Sequence, residues 1–118
     1  MTYVSGFVAA VPAANKDAFI AHAKAGWPWF QERGALRMVE CWGTDVRHGK
    51  QTDFYRAADA REGEVPVFAW IEWPDRATCD EAARKMESEM EGQDMPDMPF
   101  DGMRMFWGGF TPVFDSRG

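Results

Sequence analysis

The sequence predicts an α+β fold in which four strands and two long helices follow one another in the order β, α, β, β, α, β. Two stretches repeat apolar residues at helical spacing, and apolar stretches rich in Val and aromatic residues flank each of them. Gly and Pro mark the boundaries between these stretches. A length of 118 residues suits one domain with its own core. We therefore expect a single domain over residues 1–118.

The first strand and the first helix are predicted at the start of the chain. The run YVSGFVAAV at residues 3–11 is apolar and ends at Pro12, which is typical of a mostly buried strand. Asn15 is the predicted cap of the helix, and Gly34 ends that helix in the left-handed conformation. The apolar residues of the helix recur on one face: Phe19, Ala23, Trp27 and Phe30. This face should pack on the sheet.

Two strands joined by a long connection are predicted in the middle of the chain. They cover residues 35–44, ALRMVECWGT, and residues 65–73, VPVFAWIEW. Thr52 can cap one or two helical turns over residues 53–59. Such turns make a connection of this length compatible with a compact domain.

A second long helix, a loop and a last strand complete the order. Asp75 caps the helix and Gly92 ends it. Residues 92–102 are rich in Pro, Gly and Asp, and we interpret them as a loop that Phe100 anchors in the core. The alternative is a lid in which Met95, Met98 and Phe100 close over an apolar ligand. The last strand is predicted over residues 103–114, where two adjacent glycines, Gly108 and Gly109, indicate a bulge or a close backbone approach.

This order of elements is that of the ferredoxin-like pattern, in which both helices cover one face of a four-stranded antiparallel sheet. Side chains alternate between the two faces of a strand, and here both alternating sets are apolar. Large residues carry this pattern: Phe7, Phe68, Trp70, Phe106 and Trp107. Two helices cannot cover both faces, so a partner surface is implied. A second copy of the chain is the simplest source of that partner surface, and we expect a homodimer.

Charge and cysteine usage exclude several classes of function. The net charge is −6, and most of the acid of residues 60–118 lies between Asp80 and Asp101, so the surface repels phosphate backbones and we expect no nucleic-acid partner. Cys41 and Cys79 form no C-x-x-C pair, which is typical of reduced thiols in the cytoplasm. We expect no membrane partner and a cytoplasmic protein, because the sequence offers neither a signal peptide nor a long apolar run.

Three segments resemble a known family: GALRMVECW at residues 34–42, VFAWIEWPDRA at residues 67–77 and MPFDGMRMFWGGF at residues 98–110. They are similar to the YbaA-like family of uncharacterised bacterial proteins, a group of unknown function within the dimeric α/β-barrel superfamily. The resemblance implies a ferredoxin-like protomer whose sheet faces that of a second copy, giving a dimeric α/β barrel. It implies no catalytic residues. Other members of the superfamily include cofactor-independent monooxygenases and lactone isomerases, so fold analogy indicates only that a pocket is possible.

The candidate site combines residues of the two middle strands. Glu40 and Trp42 lie two residues apart on one strand and therefore share a face. Phe68, Trp70 and Glu72 do the same on the other strand. Two neighbouring carboxylates in a Trp-lined pocket would hold one proton between them, which suits acid-base catalysis. Arg104, placed on the last strand, is their expected counter-ion, and the alternative is an ion pair that only holds the sheet or the dimer together.

Histidine adds one further candidate to this site. His22 lies on the first helix and can exchange a proton near neutral pH, although a lone His is more often a surface or core residue. The chain has 2 His and no H-x-x-x-H spacing, so no metal ligand set is predicted. No phosphate-binding glycine motif is present, and we expect no cofactor.

Three functional hypotheses remain open from the sequence. The first is a small homodimer that binds an aromatic or lipophilic small molecule in a pocket beside the sheet, with Trp42, Trp70, Phe68 and Arg104 as its lining. The second is a cofactor-independent enzyme of monooxygenase, isomerase or hydrolase type, with acid-base chemistry at Glu40, Glu72 or His22. The third is a non-catalytic dimeric stress-related module in which the same residues belong to the core and the interface.

Overall fold

One antiparallel sheet organises the chain in the computed structural model, which describes residues 2–92 and 97–118. Within these residues the strands are β1 (Tyr3–Pro12), β2 (Arg37–Trp42), β3 (Glu64–Trp73) and β4 (Phe106–Phe110), and their order in the sheet is β2-β3-β1-β4. The helices are α1 (Lys16–Glu32), α2 (Phe54–Ala57) and α3 (Arg76–Met90). The predicted α+β fold and the ferredoxin-like order of elements are confirmed.

Two of the three predicted residues, Asn15 and Asp75, stand at the N-cap positions, but only Asp75 makes the expected side-chain hydrogen bond. Asp75 begins α3 as expected, since its carboxylate accepts a hydrogen bond of 2.8 Å from the Thr78 amide. At α2 the cap is Asp53 rather than Thr52, because Asp53 accepts from the Arg56 amide. Asn15 makes no side-chain cap for α1. Its amide instead donates to the Pro99 carbonyl at 2.8 Å, which ties the loop before β4 to the start of α1.

Gly34 ends α1 with a φ of 101°, the left-handed conformation that the sequence predicts there. A Cβ at this position would lie 2.6 Å from the Thr78 methyl group. Glycine is therefore required both by the backbone conformation and by the close approach of the start of α3.

Both long helices pack on the same face of the sheet and form the main core there. One buried cluster joins β1, β3 and α1 through Ala9, Val11, Phe19 and Val67. A second cluster joins Ala35, Ile71 and Trp73 to Ala82 of α3. Trp73 is among the largest fully buried side chains, and its indole nitrogen donates to the Ser5 hydroxyl at 3.0 Å.

The opposite face of the sheet is covered at one end only. There the connection between β2 and β3 folds back, and Ala58, after α2, packs in a small buried cluster with Val8 and Ala10 of β1. We call the remainder of this surface, which α1 and α3 do not cover, the open face.

The last strand is shorter than the predicted span of residues 103–114. A 3-10 turn occupies Gly102–Arg104, because the Asp101 carboxylate accepts from the Met103 amide at 3.0 Å and holds the turn. Register is continuous from Phe106 to Phe110, so the two adjacent glycines mark a close approach and not a bulge. A Cβ at Gly109 would collide with the Tyr3 hydroxyl.

The loop before β4 is tied to the core as expected. Phe100 packs against the cluster that contains Phe19, with ring centroids 5.9 Å apart. Met95, one residue of the alternative lid, lies outside the described residues.

The second strand, β2, is two residues shorter at each end than the predicted span of residues 35–44.

Candidate functional site

Strand register decides which candidate residues meet on the open face. Glu72 of β3 pairs with Val4 of β1 and Arg37 of β2. Paired residues share a face, and so do residues two apart on a strand. Phe68, Trp70 and Glu72 therefore lie together on the open face, as the sequence predicts for this trio.

A broad concavity of about 920 Å³ occupies the open face. Its apolar lining comes from three strands: Val4, Val8, Phe68, Trp70, Phe106 and Phe110. One end is polar and is lined by Arg37, Glu72, Asp115 and Arg117. Near the other end the Phe54 ring of α2 meets Phe68 edge-on, with centroids 6.4 Å apart. The concavity thus has an apolar body and a charged end.

Glu72 is held in place at the charged end. Its Oε2 accepts a hydrogen bond of 3.0 Å from the Trp70 indole nitrogen and lies 3.5 Å from a guanidinium nitrogen of Arg37. The Phe68 ring in turn packs on Trp70 at 5.7 Å. Trp70 therefore serves as apolar wall and as hydrogen-bond donor, so the position of its ring is coupled to that of the carboxylate.

The predicted pair of neighbouring carboxylates does not form. Glu40 pairs with Ala69 and Trp42 pairs with Val67, and both partners are buried under the helices. Glu40 and Trp42 consequently lie on the face opposite to Glu72. The expectation of one shared site is wrong because β2 pairs with β3 in the register that places even-numbered β2 residues opposite odd-numbered β3 residues.

Glu40 is nevertheless unusual on its own side of the sheet. Its Oε2 is shielded from solvent and has no hydrogen-bond partner among the described residues. Burial raises the pKa of this carboxyl from 4.5 to about 7, because removing a carboxylate from water disfavours its charged form. Glu40 therefore takes up or releases a proton near neutral pH.

Trp42 and His22 belong to an aromatic cluster near Phe19. The Trp42 ring lies 6.0 Å from Phe19, and the Lys16 ammonium is 5.5 Å from the Trp42 centroid. His22 is exposed on α1 and meets the Phe100 ring edge-on at 6.4 Å. Within residues 2–92 and 97–118, no hydrogen bond or ion pair joins this histidine to a carboxylate.

Arg104 is not the counter-ion of either predicted carboxylate. It lies in the 3-10 turn before β4, and it binds Glu64 through two nitrogens at 2.6 and 2.7 Å. The same guanidinium donates to Asp101 at 3.1 Å and to the Asp59 carbonyl at 2.7 Å. These hydrogen bonds lower the pKa of Glu64 to about 2. Arg104 therefore ties the turn before β4 to the segment from Asp59 to the start of β3. It is not one of the residues that line the concavity.

Sequence reasoning missed several residues of the concavity. Arg37, Asp115 and Arg117 form its charged end. The prediction that β2 presents Glu40 to the shared site would place Arg37 on the opposite face. In the observed register, Arg37 instead lies next to Glu72. The contribution of Asp115 and Arg117 depends on how the segment after β4 folds back, for which no sequence pattern gives a signal.

The described part of the chain has neither a cluster of metal ligands nor a helix that could span a membrane. Among residues 2–92 and 97–118, no three His, Cys, Asp or Glu side chains lie close enough together to hold a metal ion. In the same residues, no helix is both long and apolar enough to cross a membrane.

Comparison with known proteins relates the chain to relatives of unknown function. Residues 2–102 match the family model described as "Protein of unknown function (DUF1428)". The chain is 50% identical over 116 residues to the uncharacterised protein YbaA of Escherichia coli K12. The aligned region covers 98% of this chain and 99% of the relative. The YbaA protein of Shigella flexneri matches to the same extent.

A solved structure shares the fold. The chain superposes on the crystal structure of a protein described as a dimeric ferredoxin-like protein from an uncultured marine organism, with a TM-score of 0.61 and 12% sequence identity. The match covers 97% of each chain. It shows the same ferredoxin-like arrangement of strands and helices.

Proposed function

The chain belongs to the DUF1428 family of proteins of unknown function, and from that premise we propose that it is a homodimer that binds small aromatic or lipophilic molecules between two facing sheets. The observation that carries this proposal is the exposed apolar surface of the open face. Phe68, Phe106 and Phe110 are 48%, 42% and 61% exposed there. Large adjacent rings in contact with water mark a binding surface.

A second copy suits this surface in both shape and charge. The charged residues that line the concavity are two arginines and two carboxylates, Arg37, Arg117, Glu72 and Asp115, so the open face is electrically balanced although the whole chain is acidic. Two open faces can therefore approach each other without like-charge repulsion. The solved structure of the same fold is described as dimeric, which supports the same arrangement.

The concavity explains why such a dimer would retain a compartment. Two concavities of about 920 Å³ that face each other would leave apolar space between the sheets, and the charged end would leave an opening for a polar group of the ligand. A molecule with an apolar ring system and one polar end fits this distribution.

Two measurements test the proposal together. Light scattering on an eluting peak should give twice the chain mass of 13.4 kDa at micromolar protomer concentration. The neutral dye N-phenyl-1-naphthylamine should fluoresce strongly when it is added to that dimer. A monomeric mass would contradict the proposal, and a dimer that leaves the dye dark would favour the non-catalytic module.

A second candidate function is acid-base catalysis at Glu40, under the helices. The orphaned Oε2 of Glu40 favours it, because that oxygen offers a hydrogen-bonding position for a substrate hydroxyl or amine. The pKa of about 7 allows the group to act as acid or as base at neutral pH. This role requires a Glu40 pKa near 7, which carboxyl ¹³C NMR can measure. A Glu40 signal that titrates near 4.5 would rule the role out.

The substitution Glu40→Gln should stabilise the folded chain at alkaline pH. In the unfolded chain the carboxyl ionises near 4.5, but in the folded chain it does so near 7, so stability falls as pH rises through that window. At pH 8 the Gln variant should gain about 2–3 kcal/mol in free energy of unfolding, and at pH 4 it should match the original chain. Urea unfolding at the two pH values measures this difference.

The exposed residue Glu87 of α3 supplies the control for that experiment. Glu87→Gln removes a carboxylate from an exposed position and should change the free energy of unfolding by no more than about 0.5 kcal/mol. If Glu40→Gln stabilised the chain at pH 8 no more than Glu87→Gln does, Glu40 would not be a protonated core group.

We also propose a cytoplasmic location on the basis of the thiols. Cys41 and Cys79 are both free. Cys41 shares the face of Arg37 on β2, whereas Cys79 packs with the helix-side core. The sheet separates the two sulfurs, so the thiols are not arranged for a disulfide within one chain.

A further inference from the structure

The segment after β4 carries two apolar side chains that contact almost nothing in their own protomer. Val113 is 96% exposed and Phe114 is 84% exposed. Both follow Pro112, which is itself half-buried against the concavity. Leaving adjacent Val and Phe side chains in water costs free energy in proportion to their hydrated apolar area. This segment therefore has the composition of a contact surface.

The position of the segment connects it to the open face. Thr111, Pro112, Asp115 and Arg117 all line the charged end of the concavity. Val113 and Phe114 lie between these lining residues in the chain but do not pack into the concavity of their own protomer. The backbone is therefore anchored at the rim, while the two apolar side chains remain available beyond it.

We infer that residues 111–118 form an arm that packs on the partner protomer, where Val113 and Phe114 close the charged end of the partner's compartment. This inference rests on the proposed homodimer. In a symmetric dimer every contact occurs twice, so if the arm of one protomer packs on the partner, the partner's arm packs on the same residues of the first protomer. On the open face of β4, the exposed apolar side chain at that end is Phe110, which pairs with Val4 and is 61% exposed.

The balance of charge along the arm favours a second copy of the chain as the protein on which the arm packs. Asp115 and Arg117 of the arm carry opposite charges, as do Glu72 and Arg37 at the end of the concavity. The Arg37–Glu72 pair of one protomer and the Asp115 and Arg117 side chains of the other are each neutral as a set, so the two can approach without net repulsion, and the arrangement repeats by symmetry. An acidic or a basic partner protein would leave half of these groups opposed by like charge.

The double variant Val113→Ser/Phe114→Ser tests the arm by its effect on dimer dissociation. Removing two apolar contacts from each protomer should raise the dissociation constant by at least about 30-fold in sedimentation equilibrium, with an unchanged circular dichroism spectrum. The matched control is Leu36→Ser, because Leu36 is 57% exposed before β2 and does not line the concavity. A double variant that dimerises as tightly as the control would overturn the arm. A monomeric original chain would instead overturn the proposed function, so the two failures are distinguishable.

Photocrosslinking locates the arm directly. p-Benzoylphenylalanine replaces Phe114, and the protein is mixed from isotopically light and heavy chains before irradiation. Crosslinks that join light to heavy chains at residues 106–110 are expected. Crosslinks confined to one chain would contradict the inference, because the arm would then pack on its own protomer. The same amino acid at position 36 should give no link to β4.

Discussion

Replacing Phe68 by Glu is expected to convert the proposed dimer into monomers. Phe68 lies on the open face, where a second sheet would remove it from water. Twofold symmetry places two such carboxylates in one apolar interface, and each would lose its hydration without gaining a cation. We expect the dissociation constant to rise by at least about 100-fold, measured by sedimentation equilibrium.

The fold of the single protomer should survive this change. Phe68 is 48% exposed, so its contacts with Phe54 and Trp70 contribute only about 1 kcal/mol to the protomer. Ile20→Glu is a matched control, because Ile20 is 41% exposed on α1, on the other side of the sheet. The control should remain dimeric. If Phe68→Glu kept the dissociation constant of the original chain, the open face would not be the interface.

The elements of the fold could be predicted because local chemistry determines them. Pro12 ends β1, Gly34 ends α1 in the left-handed conformation, and Asp75 caps α3. Each of these effects acts within a few residues of its cause. The predicted need for a partner has the same origin, since alternation along β3 turns Phe68 and Trp70 to one face whatever lies beside the strand.

The candidate site was predicted less well because it depends on how strands pair. Alternation correctly groups Phe68 with Trp70 and Glu72, and Glu40 with Trp42, within their own strands. It does not specify which group of β2 shares a face with which group of β3, and a shift of one residue moves a whole set to the other side. Placing Glu40 beside Glu72 assumed one of the two registers, and the structure has the other.

The pairing of Arg104 with Glu64 could not be predicted from the sequence, for a different reason. Asp101, three residues before it, is visible in the sequence as a local ion pair. Glu64 is forty residues away and meets Arg104 only because β3 begins beside the turn that precedes β4. An ion pair of this separation is set by the tertiary fold, and no periodicity or motif reports it.

Replacing Arg104 by Met is expected to lower the free energy of unfolding by about 3 kcal/mol at pH 7, because it leaves the Glu64 carboxylate shielded without a cation. The side chains of Arg104 and Glu64 are 12% and 9% exposed. Hydrogen bonds from Arg104 hold the pKa of Glu64 near 2, against an ordinary 4.5. The stabilisation is therefore present above pH 4.5 and is lost as pH falls from 4.5 toward 2. Urea unfolding at fixed protomer concentration should show a smaller difference at pH 3 than at pH 7.

Two further variants separate the loss of this ion pair from a general effect of removing an arginine. Arg76→Met breaks an exposed pair with Asp80, 3.3 Å apart on α3, and should change stability by no more than about 0.5 kcal/mol. Adding Glu64→Gln to Arg104→Met should recover most of the loss, because a neutral amide tolerates the shielded position better than an unpaired carboxylate. A loss for Arg104→Met as small as that for Arg76→Met, or one that the second substitution deepens, would show that the pair does not hold β3 to the turn before β4.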